Sequence, residues 1–150
     1  MIWFCDASAL VKRYVEEEGS LWFRHEVGRH KIVIAHITVV EVQAALAANY
    51  RSGAIALFAF YRARNKFVNQ RGQYQILPLT ESTVSIAASL VSHHPLRAYD
   101  AVQLATAVDY LKTHPSKRAD LVFLTADAQL EKAARAEKLK TDNPNRHSRQ

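Results

Sequence analysis

Residues 1–10 read MIWFCDASAL: five apolar residues, then the carboxylate of Asp6, then Ala7-Ser8-Ala9. The run 1–5 has the length and residue types of a short buried strand. Aspartate is a poor strand former and is costly to desolvate, so the strand stops there. From Ser8 onward Leu10, Val11, Tyr14 and Val15 recur at helical spacing until the acidic turn at 16–19. Asp6 thus stands between a strand and a helix. It is either the cap of that helix or a member of a site, and the stretch alone leaves both readings open.

Three more short apolar runs follow: KIVIA at 31–35, YQIL at 74–77, closed by Pro78, and LVFL at 121–124. Each reads as a strand. Helical patterns lie between them, from Ser20 to about Val27, from Thr38 to about Tyr50, and from Ala54 to about Gln70. Further ones run from Thr80 to Val91, from Asp100 through Leu111, and from Asp127 to Lys138. Thr38-Val39-Val40-Glu41 has the form of a capping box. Strands alternating with helices predict an α/β fold, a three-layer α/β/α sandwich around a central parallel sheet with right-handed crossovers. The sheet has four or five strands, because LKTDNPN at 139–145 is polar for a fifth. The domain is placed at 1–140, with 141–150 as a polar tail expected to fray.

A chain of 150 residues, 49% hydrophobic and 23% charged, is one globular domain with a sizeable core. No apolar run approaches the ~20 residues of a membrane span, and the first residues lack the features of a signal peptide. The single cysteine, Cys5, cannot form an internal disulfide and rules out a thiolate zinc site. It reads as a buried hydrophobe in a reducing compartment, which places the protein in the cytoplasm.

The net charge of +6 is unevenly spread. Residues 42–80 carry Arg51, Arg62, Arg64, Lys66 and Arg71 and no acid. Such a run is either a solvated helix face or a surface for polyanions, with Arg62, Arg64 and Lys66 as candidate phosphate contacts. The seven histidines are scattered, and His93-His94 lacks the i, i+4 spacing of paired ligands. Trp3 and Trp22 read as core rather than as stacking platforms.

Ligands of parallel α/β sheets bind outside the carboxyl ends of the strands, and acids collect there. Asp6 follows the first strand, Glu41 lies in the first helical turn after the second, and Asp127 follows the fourth. Asp100 opens the helix that precedes the fourth strand. Taken singly, each acid suits a helix N-terminus, where a cap contributes ~1 kcal/mol. Taken together, four converging carboxylates repel unless a cation neutralises them. An all-oxygen donor set suits Mg²⁺ or Mn²⁺, and such a site hydrolyses phosphodiesters. No P-loop, dinucleotide fingerprint or G-x-S-x-G offers a competing chemistry.

DASALVKRYVEEEGS, ITVVEVQAAL, LRAYDAVQLATAV and FLTADAQLEKAA, in this order and spacing, give a sequence that resembles the PIN-domain ribonucleases, specifically the VapC-type toxins of toxin–antitoxin pairs. The resemblance implies an endoribonuclease dependent on Mg²⁺ or Mn²⁺. It implies Asp6 and Asp100 as principal metal ligands, Glu41 and Asp127 as completing the acidic pocket, and Ser8 and Thr125 as hydroxyls bracing it. It also implies a cognate antitoxin as partner and a homodimer. Two other readings stand beside it. One is a non-catalytic RNA- or protein-binding module of the same fold, with the acids as caps. The other is an aspartyl-nucleophile phosphatase, which wants a second acid at position 8, where this chain has Ser8.

Overall fold

A computed structural model describes residues 1–147. Five parallel strands form one sheet: β1 (Ile2–Cys5), β2 (Lys31–Ala35), β3 (Gln75–Leu77), β4 (Leu121–Leu124) and β5 (Lys140–Asp142), in the order β3-β2-β1-β4-β5. The helices are α1 (Ala7–Leu10), α2 (Ser20–His25), α3 (Thr38–Arg51), α4 (Leu57–Gln70), α5 (Glu81–His93), α6 (Ala98–Thr113) and α7 (Ala128–Ala136). The predicted three-layer α/β/α sandwich is what forms.

Alternation along the strands creates two cores. Trp3, Cys5, Ile32, Ile34 and Leu124 face the layer built from α1 to α4. Ile2, Phe4, Val33, Ala35, Leu121 and Phe123 face the layer of α5 to α7. Phe4 and Phe123 are register partners and stack at 5.4 Å, while Trp3 meets Trp22 edge-on at 5.8 Å. Cys5 is fully buried, as expected of a small hydrophobe. Among the described residues no helix is long and apolar enough to cross a membrane.

The chain winds outward from β1 to β3, crosses back to β4 and continues to β5. The winding reverses between β1 and β4, and at such a switch point the loops leaving two neighbouring strands diverge and open a crevice. Asp6 ends β1 at that point, and Thr125 and Asp127 follow β4.

Two expectations are revised. The first helix is α-helical only over Ala7–Leu10 and tightens into a 3₁₀ turn at Val11–Arg13. There the buried Lys12 Nζ reaches forward to the Glu18 carbonyl at 2.7 Å and Glu17 Oε1 at 3.1 Å, tying down the acidic loop. The boundary at 140/141 falls inside β5, and the segment expected to fray is ordered through a 3₁₀ turn at Pro144–His147. Polar contacts rather than apolar alternation hold it. Arg146 donates to both oxygens of the buried Glu131 at 2.7 and 2.8 Å, and His147 stacks on Trp22 at 4.0 Å. Residues 148–150 lie outside the described residues.

Gly19 makes this docking possible. It adopts φ +80°, and a Cβ there would run into the Pro144 carbonyl. Gly19→Ala is expected to lower stability by ~1–3 kcal/mol, a shift of several degrees in thermal midpoint. In a chain ending at Asn143 the same change should cost only the backbone strain, about 1 kcal/mol. Equal losses in both chains would show that the C-terminal turn does not press on Gly19.

Candidate active site

Asp6 is 4% exposed and its carboxylate is enclosed by donors. Oδ1 accepts from the Ala9 amide at 2.9 Å, so Asp6 does cap α1. Oδ2 accepts from Thr125 Oγ1 at 2.7 Å, and the Ser8 hydroxyl lies 2.8 and 2.9 Å from the two oxygens. The hydroxyls are oriented in turn by backbone amides, Ala126 N–H donating to Ser8 Oγ at 2.9 Å and Asp127 N–H to Thr125 Oγ1 at 3.0 Å. The β1–α1 and β4–α7 junctions are therefore tied together through one carboxylate. The register of β1 on β4 dictates this: Cys5 pairs with Leu124, so Asp6 and Thr125 emerge side by side.

Asp127 caps α7, Oδ1 accepting from Leu130 N–H at 3.0 Å. Glu41 and Asp100 are different. α3 begins after Ile37 without a side-chain cap, so the expected capping box does not form. Thr38 Oγ1 instead accepts from Gln103 Nε2 at 2.7 Å, and Glu41 Oε1 accepts from the same nitrogen at 3.0 Å. Asp100 sits in the first turn of α6 but caps nothing; Arg97 occupies the cap position and lies 3.5 Å from Asp100 Oδ2.

The acids act on one another in sequence. Burial lifts the Asp6 carboxyl from its ordinary 3.8 to about 6, against the pull of Thr125, Ser8 and Ala9, and the charge of Glu41 adds to the rise. Glu41 is raised by its own burial and by Asp100, with Gln103 opposing. Asp100 is raised by burial and by Asp127, with Arg97 opposing. Four carboxylates from four different segments thus share one field, and the three shifted ones all favour a neutralised state.

The donor set is oxygen only, which suits a hard divalent cation. Among the described residues no three His, Cys, Asp or Glu side chains close on one point as a preformed cage. Mg²⁺ needs no such cage, since it is commonly held by one or two carboxylates with water and phosphate completing its shell. The carboxylates of this site are donors of that type.

Other candidates divide. Arg62 and Lys66 line a groove of about 390 Å³ together with Arg13, Arg24, Tyr14 and Phe58. Arg64 lies instead over the ring of Tyr61, 4.8 Å from its centroid, so the three cations do not share one face. His94 pairs with Glu137 at 2.9 Å and His93 Nδ1 lies 2.8 Å from the Ser89 carbonyl, both structural contacts. Gln103 was not anticipated. It is 1% exposed on α6 and lies one turn beyond Asp100, a spacing that puts both on one helix face. An amide set among the apolar residues Ala101, Val102, Leu104 and Ala105 was the available signal.

A family model described as PIN domain matches residues 3–136. Among solved structures the chain is similar to FitAcB from Neisseria gonorrhoeae at 20% identity, with 96% of this chain and 98% of that one covered and a TM-score of 0.65. PAE2754 from Pyrobaculum aerophilum also shares 20% identity, over 98% and 86% of the two chains, with a TM-score of 0.64. VapBC2 from Rickettsia felis, solved with a DNA fragment from its promoter, shares 13% identity over 95% and 98%, with a TM-score of 0.63. At these identities the likeness establishes the fold. No curated protein matches the chain. With the model spanning all but the first two residues and the last fourteen, the chain belongs to the PIN domain family.

Proposed function

We propose that this protein is a metal-dependent endoribonuclease, the toxin of a type II toxin–antitoxin pair in the cytoplasm. The observation that carries the reading is the convergence of Asp6, Glu41, Asp100 and Asp127 at the switch point, where one buried and three half-buried carboxylates act on one another with only neutral donors and one exposed arginine as partners. The PIN family is one of nucleases, generally dependent on divalent metal. Structures of similar fold include ones described as a toxin–antitoxin complex from Klebsiella pneumoniae and FitAB bound to DNA. The reading gives the chain RNA as substrate, a cognate antitoxin and a second copy of itself as partners.

Asp6 and Asp100 would hold Mg²⁺ or Mn²⁺, with Glu41 and Asp127 completing the acidic pocket directly or through water. The chemistry a bound divalent cation supplies is Lewis acidity toward the phosphoryl oxygens and acidification of the attacking water. Ser8 and Thr125 fix the Asp6 carboxylate by hydrogen bonds to it, so that it does not reorganise as charge develops. Arg97, 86% exposed at the rim, is free to turn from Asp100 toward a phosphate. The alternative of a binding module with the acids as caps fits Asp6 and Asp127 but gives Asp100 and Glu41 nothing to cap.

RNA cleavage in Mg²⁺ is expected to cease on adding EDTA, and Asp6→Asn or Asp100→Asn to lower kcat by ~100-fold or more. Parental cleavage by either variant would overturn the mechanism.

The raised Asp6 carboxyl predicts a stability effect of defined sign. Its folded pKa exceeds its ordinary one, so folding takes up a proton and metal-free stability falls as pH rises through about 4 to about 6. In EDTA, Asp6→Asn should be the more stable form at pH 8, by ~3 kcal/mol at most, with the advantage vanishing near pH 4. Denaturant midpoints at the two pH values measure this, and a constant difference would contradict it.

Arg62→Ala with Lys66→Ala should weaken RNA binding and flatten its salt dependence by roughly 0.7 in log–log slope per lost phosphate contact, with Arg64→Ala doing less. Unchanged binding at low and high salt would assign the groove to another partner.

A further inference from the structure

The structure assigns Gln103 as the positioning residue for Glu41, a role that rests on the nuclease reading above. The first turns of two helices face each other beside the crevice. Thr38 and Glu41 lie three residues apart on α3, Asp100 and Gln103 three apart on α6. The Gln103 amide spans the gap, Nε2 donating to Thr38 Oγ1 at 2.7 Å and to Glu41 Oε1 at 3.0 Å. Both N–H groups of the amide are used in this way.

Thr38 is fully buried on the first turn of α3, so the bond to it fixes where the amide sits. The second bond then fixes Glu41. Glu41 is only half-buried, and its three side-chain torsions leave it free to leave the site unless something holds it. Gln103 supplies that hold.

The other end of the amide shows what the arrangement costs. Gln103 Oε1 is buried and meets no donor among the described residues. An orphaned buried amide oxygen is destabilising, and an apolar side chain at this position, beside the fully buried Leu104 and Ala105, would avoid it. The nitrogen is aimed at the Glu41 carboxylate and anchored on the buried Thr38 hydroxyl, the pattern of a group that positions a site acid. Rotating the amide would set its oxygen against the Glu41 carboxylate, so the present orientation is the attractive one.

A double-mutant cycle tests the assignment. Gln103→Leu and Glu41→Gln would be made singly and together, and each protein measured for Mn²⁺ affinity by calorimetry and for kcat and KM on RNA. If Gln103 acts through Glu41, Gln103→Leu weakens Mn²⁺ binding or kcat about 10-fold or more, leaves KM near the parental value, and adds nothing in the Glu41→Gln background. Parental affinity and kcat in Gln103→Leu, or losses that multiply in the double variant, would overturn it. Should Gln103→Leu fail to fold, Gln103→Met keeps the chain length without the donors and carries the same expectation. The metal cycle also separates the two readings. Non-additive Mn²⁺ affinities in a protein that cleaves no RNA would uphold the role of Gln103 and remove the nuclease.

Discussion

The molecule is organised around one buried carboxylate. Placing Asp6 at 4% exposure opposes its ionisation, and three donors from two junctions of the sheet offset part of that cost. Because Thr125 follows β4 and Ser8 lies in the first turn of α1, the carboxylate can be satisfied only when β1 and β4 are in the observed register. A slip of one residue would turn Trp3 and Phe4 to the wrong faces and separate Asp6 from Thr125 at the same time. Core and site therefore depend on the same pairing, and the stacked Phe4 and Phe123 guard both.

Much of this was legible in the residues. Four apolar runs and the helices between them marked the layers, since burial on both faces leaves a signal that few other structures share. The placement of Asp6, Glu41 and Asp127 at the carboxyl edge followed from where those runs end. What the sequence concealed was the partner of each polar group. Thr38 and Glu41 have capping-box spacing, but Gln103, 62 residues from Glu41, takes both side chains for itself. No local pattern reports a competitor that distant, and only the packing of α6 against the start of α3 brings it near.

The fifth strand was obscured for a related reason. Lys140–Asp142 has no apolar residue, and an edge strand needs none if its polar groups are met. Here Thr141 Oγ1 donates to Glu131 at 3.1 Å, and Asp142 accepts from Arg146 and His147 at 3.2 and 3.0 Å. Glu131 is held below the usual carboxylate range, first by its hydrogen bond from Arg146. That stabilisation is complete above its ordinary 4.5 and is lost as acid protonates it, the opposite sign to Asp6. Two buried carboxylates thus answer pH in opposite directions, and the difference lies in their partners: Asp6 has only neutral donors, Glu131 has guanidinium groups.

That contrast bears on why three of the four site acids are left without a cation and the fourth has a single exposed one. A structural cluster would be expected to recruit arginine, as Glu131 does with Arg135 and Arg146. Asp6, Glu41 and Asp127 have no ion pair among the described residues, and Asp100 has only the exposed Arg97 at 3.5 Å. The N-termini of α3, α6 and α7 carry Glu41, Asp100 and Asp127, and their partial positive charges soften the repulsion without removing it. A fold that can place guanidinium groups around one buried acid, and instead surrounds another with hydroxyls and amides, leaves the second without a fixed cation to balance its charge. Neutral donors hold carboxylate oxygens in place without satisfying their charge, and a carboxylate so held retains its attraction for a divalent cation.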